Sequence, residues 1–162
     1  ADTDSLVPVL NRRAFVRELS RMISYSERYG TPASLVFIDL NNFKAVNDTF
    51  GHAAGDAVLE YVAGSLIEHV RESDIVGRIG GDEFAVILAQ ANEADAMEKA
   101  ESLMHLIADK PLEIMGQKIA VSVSPGAVAF KPGEDAAAAL ARADEAMYVA
   151  KRRRQEGDKS KG

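Results

Sequence analysis

The pattern of apolar and polar positions along the chain predicts helices and strands that alternate. Apolar residues at helical spacing, bounded by capping and stop residues, indicate the helices. Short and nearly continuous apolar runs indicate the strands. The predicted helices cover residues 11–28, 43–50, 56–70, 92–110 and 134–153, and the predicted strands cover residues 34–38, 75–79, 84–88, 112–115 and 118–123. This order predicts one α+β domain with a central mixed or antiparallel sheet flanked by helices.

Several acidic residues fall at the ends of the predicted strands. Asp39 follows the strand at 34–38, and Asp82 and Glu83 lie in the hairpin turn at residues 80–83. The two glycines in that turn can take positive φ without steric cost, and without side chains they let the backbone approach a ligand closely. If folding brings the carboxylates together they repel each other, and a divalent cation would relieve that repulsion. The alternative for each acid alone is a solvated or turn-stabilising carboxylate.

Composition and charge narrow the class of protein. The 162 residues include no cysteine and carry a formal net charge of −6. Any metal site therefore uses oxygen or imidazole ligands, and oxygen ligands favour Mg²⁺ or Mn²⁺. The negative charge argues against binding of a nucleic-acid polymer. Because no apolar run reaches 18 residues and no signal peptide is recognised, we expect a cytoplasmic domain without membrane contact.

Residues 78–84 read R-I-G-G-D-E-F and resemble the signature of the GGDEF family, the diguanylate cyclases. Other segments resemble further motifs of that family, so the resemblance covers nearly the whole chain. Residues 11–13 resemble the N-R-R motif, and residues 39–48 resemble D-x-D-x-F-K-x-x-N-D, followed at the usual spacing by Gly51-His52 and Gly55-Asp56. Residues 143–151 resemble A-D-x-x-x-Y-x-A-K. The resemblance implies the fold of nucleotidyl cyclases and polymerase palms. It makes residues 1–154 a single GGDEF domain. The polar residues 155–162 that follow are expected to form a disordered tail.

The same resemblance implies an enzyme that condenses two GTP molecules into cyclic di-GMP and pyrophosphate with Mg²⁺ or Mn²⁺. It implies that Asp39, the backbone carbonyl of Leu40 and Asp82 hold the metal ion, and that Asp82 and Glu83 are catalytic. The ion would neutralise the triphosphate and favour an ionised 3′-hydroxyl. Asp82 is one candidate for the proton acceptor, although a metal-bound carboxylate is a weak base.

Further positions match residues that bind GTP in the family. Asn47 and Asp56 match guanine-reading positions, and a carboxylate there accepts hydrogen bonds that adenine cannot donate, which would reject ATP. The alternative is that Asn47 caps the short helix and Asp56 opens the next one. The other matched substrate positions are Lys44, His52, Gly80, Gly81 and Lys151.

The resemblance also implies a homodimer and feedback by product. Two phosphodiester bonds between two GTP molecules require two half-sites that face each other. Arg71 and Asp74 fit the R-x-x-D inhibitory site of the family, where they would bind the guanine and phosphate of cyclic di-GMP. An ordinary surface ion pair is the alternative for these two residues.

The chain departs from the family pattern in three places. Val7 and Pro8 replace a threonine and a glycine, which predicts a different turn. Asn41 replaces a frequent aspartate and removes one negative charge near the metal. Gln155 stands where the family often has a phosphate-binding arginine, so Arg154 either substitutes for that arginine or belongs to a basic helix end that complements the dipole.

Two other functions remain open at this point. One is a catalytically weak or inactive receptor for cyclic di-GMP or GTP, which the intact residues 80–84 argue against. The other is a dimerisation module, which gives no reason for acidic residues at the tip of a glycine hairpin.

Overall fold

The computed structural model describes residues 1–161, with the side chains of residues 1–157. Within this range the helices are α1 (Arg12–Tyr29), α2 (Phe43–Phe50), α3 (His52–His69), α4 (Glu93–Ala108) and α5 (Ala136–Lys161). The strands are β1 (Ala33–Leu40), β2 (Ile75–Gly80), β3 (Glu83–Ala89), β4 (Leu112–Ile114), β5 (Gln117–Ile119) and β6 (Val123–Ala129). None of the described helices is long and apolar enough to cross a membrane.

Four strands form the central sheet in the order β2-β3-β1-β6, and every neighbouring pair is antiparallel. Side chains of β1 alternate between two apolar clusters because successive residues of a strand point to opposite faces. Val36 and Ile38 pack with α3 and α4 on one face, while Leu35 and Phe37 pack with α1 and α5 on the other. The predicted α+β architecture is confirmed, and β4 and β5 form a separate small hairpin.

The fourth strand of the sheet was not predicted. The strand predicted over residues 118–123 is confirmed only at its start, because β5 ends at Ile119 and β6 begins at Val123 and continues for seven residues. Pro125 and Gly126 resemble a turn in sequence, but a proline is tolerated here because β6 is an edge strand. A Cβ on Gly126 would lie 2.1 Å from the backbone nitrogen of Met147. Helix α5 therefore packs directly on the backbone of β6.

Local capping signals place two helix starts and one helix end as predicted. The Asn11 side chain accepts a hydrogen bond from the Ala14 N–H at 2.9 Å, and α1 ends at Gly30 with φ 66°. Helix α4 begins with a capping box in which Asn92 and Asp95 each accept from the other's backbone N–H. These bonds satisfy backbone groups that would otherwise lack partners at the helix ends.

Other helix boundaries differ from the predictions. Helix α3 begins at His52 rather than at residue 56, because Gly55 lies inside the helix instead of interrupting it. Ile67 and Met97, predicted on apolar faces, have 41% and 55% of their surface exposed. Since a helix that lies on a sheet buries only one stripe of side chains, residues at the margin of that stripe stay exposed.

Helix α5 continues through residue 161, across the segment predicted as a disordered tail. Residues 152–156 contain good helix formers, and Arg152 lies 4.0 Å from Glu156 one turn later, a spacing that supports a helix. The prediction for residue 162 lies outside the described residues.

Candidate active site

The carboxylates at the end of β1 and at the β2–β3 hairpin are held together by the sheet. Asp39 pairs with Glu83 in the β1–β3 register, and Glu83 pairs with Gly80 across the hairpin. The backbone N–H of Leu40 donates a 3.0 Å hydrogen bond to the carbonyl of Asp82. The fold therefore places the three acidic residues predicted for the site at one end of the central strand.

Asp39 lies in an environment that disfavours its charge. Burial raises the pKa of the Asp39 carboxyl, and the negative charges of Asp82 and Asp144 raise it further. Lys151 opposes them, because its Nζ lies 3.8 Å from Asp39 Oδ2 and lowers the pKa. Since burial and the two negative charges outweigh Lys151, the pKa of Asp39 lies above its ordinary value.

Glu83 shares this environment. Burial raises the pKa of the Glu83 carboxyl, and the charges of Asp39, Asp82 and Asp144 add to the effect. The Arg12 guanidinium lowers the pKa without cancelling the increase. Two cross-strand carboxylates with raised pKa values form a cluster in which a bound cation would be stabilising.

The two glycines of the hairpin differ in how closely other atoms approach them. Neither Gly80 nor Gly81 adopts the positive φ that a glycine permits in such a turn. A Cβ on Gly80 would lie 2.0 Å from Glu83 Oε1, whereas one on Gly81 would meet no atom within 4 Å. Gly80 thus leaves space for the Glu83 carboxylate, and Gly81 leaves the tip of the hairpin open.

Two arginines connect the hairpin to neighbouring segments. Arg78 donates a 2.8 Å hydrogen bond from Nη2 to the carbonyl of Gly81, and its Nη1 lies 3.2 Å from Asp4 Oδ1. Arg12, in the first turn of α1, donates from Nη1 to the carbonyl of Ile79 at 2.9 Å. The hairpin is therefore fixed to the N-terminal segment and to α1.

The turn that contains the Val7-Pro8 departure is closed by Asp4. Its carboxylate accepts backbone hydrogen bonds from Leu6 at 2.9 Å and from Val7 at 3.1 Å. The backbone N–H of Asp4 donates to the carbonyl of Val9 at 2.9 Å. Val7 is only 2% exposed and belongs to the apolar cluster of α3 and α4, so the substituted residue contributes to packing.

The predicted metal ligands are two carboxylates and one backbone carbonyl, those of Asp39, Asp82 and Leu40. Among the residues that the structure describes, no group of three His, Cys, Asp or Glu side chains is arranged to hold a metal ion. Two carboxylates and a backbone carbonyl nevertheless fit Mg²⁺, which protein sites commonly bind through one or two carboxylates together with substrate phosphates. A cage built from protein side chains alone is not required.

Helix α2, which follows β1 directly, presents a free N-terminus beside the acidic cluster. Its N-cap residue Asn42 has φ 57° and makes no side-chain capping bond. The first backbone N–H groups of the helix therefore lack a cap, an arrangement that suits a phosphate. Lys44, one of the predicted phosphate partners, is exposed in the first turn of this helix.

Asn47 and Asp56, the predicted guanine-reading residues, lie in neighbouring helices. Asn47 is inside α2, and its Oδ1 lies 1.9 Å from where a Cβ on Gly55 would be, so its side chain covers that glycine. Asp56 follows Gly55 inside α3, and its side chain is exposed. His52, the first residue of α3, is also exposed. The alternatives in which Asn47 caps α2 and Asp56 opens α3 are wrong.

Asp144 and Arg12, for which the sequence alone predicted no role, both act on the acidic cluster. Asp144 lies seven residues before Lys151 in α5, and two helical turns place both residues on the same face. That spacing was visible in the sequence. The proximity of α1 and α5 to the hairpin was not, because it depends on packing across the sheet.

Arg71 and Asp74, the predicted inhibitory pair, contact each other but are buried to different extents. The Asp74 carboxylate is 1% exposed, accepts from the backbone N–H of Arg71 at 2.8 Å and from that of Ala89 at 3.1 Å, and lies 3.5 Å from Arg71 Nη2. The Arg71 side chain is 60% exposed and also donates to the Ala89 carbonyl. Asp74 thus fixes the loop, and Arg71 is the group available to a ligand.

The chain is similar to known proteins over most of its length. The family model of the diguanylate cyclase GGDEF domain matches residues 1–157. Diguanylate cyclase DosC of Escherichia coli is 40% identical over 151 residues, which cover 93% of this chain and 33% of that protein. Diguanylate cyclase TpbB of Pseudomonas aeruginosa is 40% identical over 155 residues, which cover 94% of this chain and 35% of TpbB. The chain spans about a third of these relatives.

Solved structures share the whole fold. The GGDEF domain of DgcB from Caulobacter crescentus, in complex with c-di-GMP, superimposes with a TM-score of 0.90 at 34% identity, covering 94% of this chain and 91% of that one. Diguanylate cyclase SiaD from Pseudomonas aeruginosa, in complex with its activator SiaC, gives a TM-score of 0.88 at 33% identity, with 94% and 58% coverage.

Proposed function

The chain belongs to the GGDEF family, and from this membership we propose that it is a diguanylate cyclase. It would condense two molecules of GTP into cyclic di-GMP and release two molecules of pyrophosphate. The observation that carries the proposal is the pairing of Asp39 with Glu83 beside Asp82, which forms a cluster of carboxylates that a bound cation would stabilise. A dimerisation module would not need such a cluster.

Each half-reaction forms one bond and breaks one bond. The 3′-oxygen of one GTP attacks the α-phosphorus of the other, and the bond between that phosphorus and the bridging oxygen of pyrophosphate breaks. Asp39, the Leu40 carbonyl and Asp82 would hold Mg²⁺ or Mn²⁺, which supplies charge neutralisation when bound. Glu83, with its raised pKa, is better suited than a metal-bound Asp82 to accept the proton of the 3′-hydroxyl.

Specificity for GTP would come from Asn47 and Asp56. The Asp56 carboxylate can accept hydrogen bonds from N1–H and the N2 amino group of guanine. Bound ATP would leave that carboxylate without hydrogen-bond donors. Because an unsatisfied charged group is costly, we expect the affinity for ATP to be at least tenfold lower than that for GTP. His52, in the same turn of α3, and Lys44 in α2 would contact the nucleotide from either side of the α2–α3 junction.

Catalysis would require two copies of the chain, because each copy provides one acidic hairpin and one nucleotide site. Product would inhibit by binding at Arg71, whose guanidinium is held in place by Asp74 while remaining exposed. The GGDEF domain of DgcB in complex with c-di-GMP supports binding of this product by the fold.

The proposal is tested by incubating the chain at high concentration with GTP and Mg²⁺ and separating the nucleotides by chromatography. We expect cyclic di-GMP and pyrophosphate from GTP and no corresponding product from ATP. Nucleotide binding without turnover would contradict the enzyme and support the receptor. Absence of nucleotide binding would support the dimerisation module.

A pair of matched variants tests the assignment of the acidic cluster. Asp82→Asn should abolish turnover and leave the melting temperature near that of the wild type. Asp109→Asn makes the same chemical change at an exposed position at the end of α4 and should turn over normally. Retained activity in Asp82→Asn would refute the assignment.

A further inference from the structure

A groove of about 360 Å³ runs along the free edge of the central sheet, between helices α4 and α5. Strand β6 is the edge strand, and its residues 125–127 line the groove between the two helices. The helices pack on opposite faces of the sheet, so they form two walls with the strand edge between them. A sheet edge with unpaired backbone groups is a template for a further strand.

The pairing of β6 with β1 determines which of its backbone groups face the groove. The backbone N–H of Asn41 donates to the carbonyl of Ser122 at 2.9 Å, and that of Phe130 donates to the carbonyl of Ala33 at 3.0 Å. Hydrogen bonds between antiparallel strands involve every second residue of each strand. The even-numbered residues of β6 therefore point their backbone groups toward β1, and the odd-numbered residues point theirs toward the free edge.

Ala127 has both of its backbone groups on this edge. Arg142 of α5 donates a 2.8 Å hydrogen bond to the carbonyl of Ala129, which agrees with the alternation and closes the edge at that point. Pro125 has no N–H and offers only its carbonyl. Among the residues that the structure describes, no side chain or turn bonds to the outward groups of Pro125 or Ala127. Within the groove the edge thus offers one donor and two acceptors.

Apolar side chains flank this edge and stay exposed. Met97 of α4 is 55% exposed, and Val149 of α5 is 40% exposed. Ala100, Ala146 and Ala150 line the walls beside them, so the walls are apolar and built of small side chains near the strand. A strand added about 4.8 Å from β6 would cover Met97 and Val149.

Both helices run antiparallel to β6 along the groove. At one end, Ser34 pairs with Ala129 and donates from its hydroxyl to the carbonyl of Ala91, just before α4 begins. At the other end, Arg154 of α5 lines a cavity together with Val123 at the start of β6. The α5 wall, residues 145–154, is about 13 Å long, the length of about four residues of a strand.

The two ends of the groove carry opposite charge. The end near the last residue of β6 has two carboxylates, whereas the end near its first residue has two guanidinium groups and one carboxylate. In that order the charged residues are Glu93 and Glu145, then Arg153, Arg154 and Glu101. The first end is therefore negative and the second end is positive on balance. A ligand with a cation at one end and an anion at the other would match both.

We propose that this groove binds an extended peptide of a partner protein, which pairs with β6 as a fifth, antiparallel strand of the central sheet. In antiparallel pairing one residue of the peptide exchanges both hydrogen bonds with Ala127. Such a strand begins at the negative end of the groove, so its first residue would be basic and its last residue acidic. A second copy of the chain fits less well, because its own β6 lies between the same two helix walls.

The inference goes beyond the proposed function and does not depend on it. None of Asp39, Asp82 and Glu83 lines the groove. Peptide binding is therefore measured in EDTA without nucleotide, and turnover of GTP is measured without peptide. Failure of one leaves the other standing.

The first test addresses the direction of the peptide. Two fluorescently labelled peptides of the same composition, Lys-Lys-Val-Thr-Val-Glu-Glu and its reverse, are titrated by fluorescence anisotropy. We expect the first to bind at least fivefold more tightly, because the reverse peptide places like charges together at both ends.

A charge-exchange variant and a matched control sharpen this test. The double variant Glu145→Lys, Arg153→Glu leaves the first end neutral and the second end negative, so it should reverse the preference between the two peptides. Glu98→Lys makes the same chemical change as Glu145→Lys at an exposed position of α4 outside the groove and should leave the preference unchanged.

The second test addresses the backbone pairing. Ala127→Pro removes the outward N–H, and proline is tolerated on an edge strand where its nitrogen faces away from the sheet. It should weaken binding of the first peptide at least tenfold, because a carbonyl of the peptide loses its donor. Ala127→Ser keeps the N–H and should bind within twofold of the wild type. Melting temperatures show whether both variants stay folded, and the charge-exchange variant decides the matter if Ala127→Pro does not.

Three results would overturn the inference. They are absence of binding by either peptide, equal binding of both peptides by the wild type and the charge-exchange variant, and binding that a folded Ala127→Pro leaves unchanged. Analytical ultracentrifugation without peptide tests the other occupant. A dimer of the wild type that Ala127→Pro dissociates would assign the edge to a second copy of the chain and overturn the peptide site.

Discussion

Replacing Gly126 by alanine tests whether α5 is positioned by direct contact with the backbone of β6. The added Cβ would lie 2.1 Å from the nitrogen and 2.5 Å from the Cα of Met147, and 2.6 Å from the carbonyl oxygen of Ala143. Ordinary van der Waals contact begins at 3.4 Å, so the available space is short by roughly 1 Å. Because these obstacles are helix backbone, a change of rotamer cannot relieve them.

The expected cost follows from this geometry. Overpacking of a well-packed interior costs about 1–3 kcal/mol, and an obstacle of rigid backbone places this substitution near 3 kcal/mol. A chain of this length loses about 2–4 °C of melting temperature per kcal/mol, so the variant should melt about 6–12 °C below the wild type. Since α5 carries Lys151 and Asp144, the displaced helix should also weaken nucleotide binding.

Urea unfolding followed by circular dichroism measures the effect, with Gly64→Ala as control. Gly64 lies inside α3 and has no atom within 4 Å of the position of its Cβ, so alanine there should stabilise the chain by about 0.5–1 kcal/mol. The two substitutions are chemically identical and opposite in predicted sign. Equal unfolding free energies for Gly126→Ala and the wild type would refute the close packing of α5 on β6.

Three further predictions concern the N-terminal turn, the acidic cluster and the inhibitory pair. Asp4→Ala removes two backbone hydrogen bonds and the partner of Arg78, so it should lower the unfolding free energy by about 2–3 kcal/mol, and an unchanged urea midpoint would contradict this. Although burial raises it, the pKa of Asp4 is lowered overall by these bonds, so its contribution should be lost as the pH falls through that lowered value. Glu83→Gln should raise the unfolding free energy at pH 7 in EDTA by less than about 1 kcal/mol after solvent screening. The folded-state pKa of Glu83 is raised, so the charged carboxylate lowers the stability of the wild type as the pH rises from the ordinary pKa through the raised one. In acid Glu83 is protonated in both states, and the advantage of glutamine should vanish. Arg71→Ala should raise the inhibition constant of cyclic di-GMP at least tenfold without changing initial rates, and equal constants would refute the inhibitory role.

The parts of the fold that were predictable from sequence are those with local causes. Asn11 and Asn92 cap helices through bonds to residues three positions away, and the hairpin at 80–83 joins two adjacent apolar runs. Strand β6 depends instead on pairing with β1, about ninety residues earlier, and on α5 covering Gly126. Its local composition resembles a turn, so only the tertiary structure makes it a strand.

The candidate site shows the same division. Asp82 and Glu83 were predictable because they are contiguous with the glycines. The pairing of Asp39 with Glu83 depends on the register of β1 and β3, in which a shift by one residue would place Asp39 on the other face. Asp144 reaches the cluster only because α5 packs across the sheet, so its effect on the pKa values of Asp39 and Glu83 had no local signal.

The acidic cluster lies on one side of Lys151, and a cavity of about 450 Å³ lined by Lys151, Arg154 and His105 lies on the other. On one side, Asp39 and Glu83 repel each other and would be stabilised by a cation. On the other side, Arg154 lacks an acceptor and would be stabilised by an anion. A nucleoside triphosphate with its Mg²⁺ ion carries both charges in one ligand. We therefore compare the rise in melting temperature with Mg²⁺ alone, with 3′-deoxy-GTP in EDTA, and with both together. The rise with both should exceed the sum of the two separate rises. Additive shifts would mean that the two features respond to separate ligands, because only a shared ligand couples them thermodynamically.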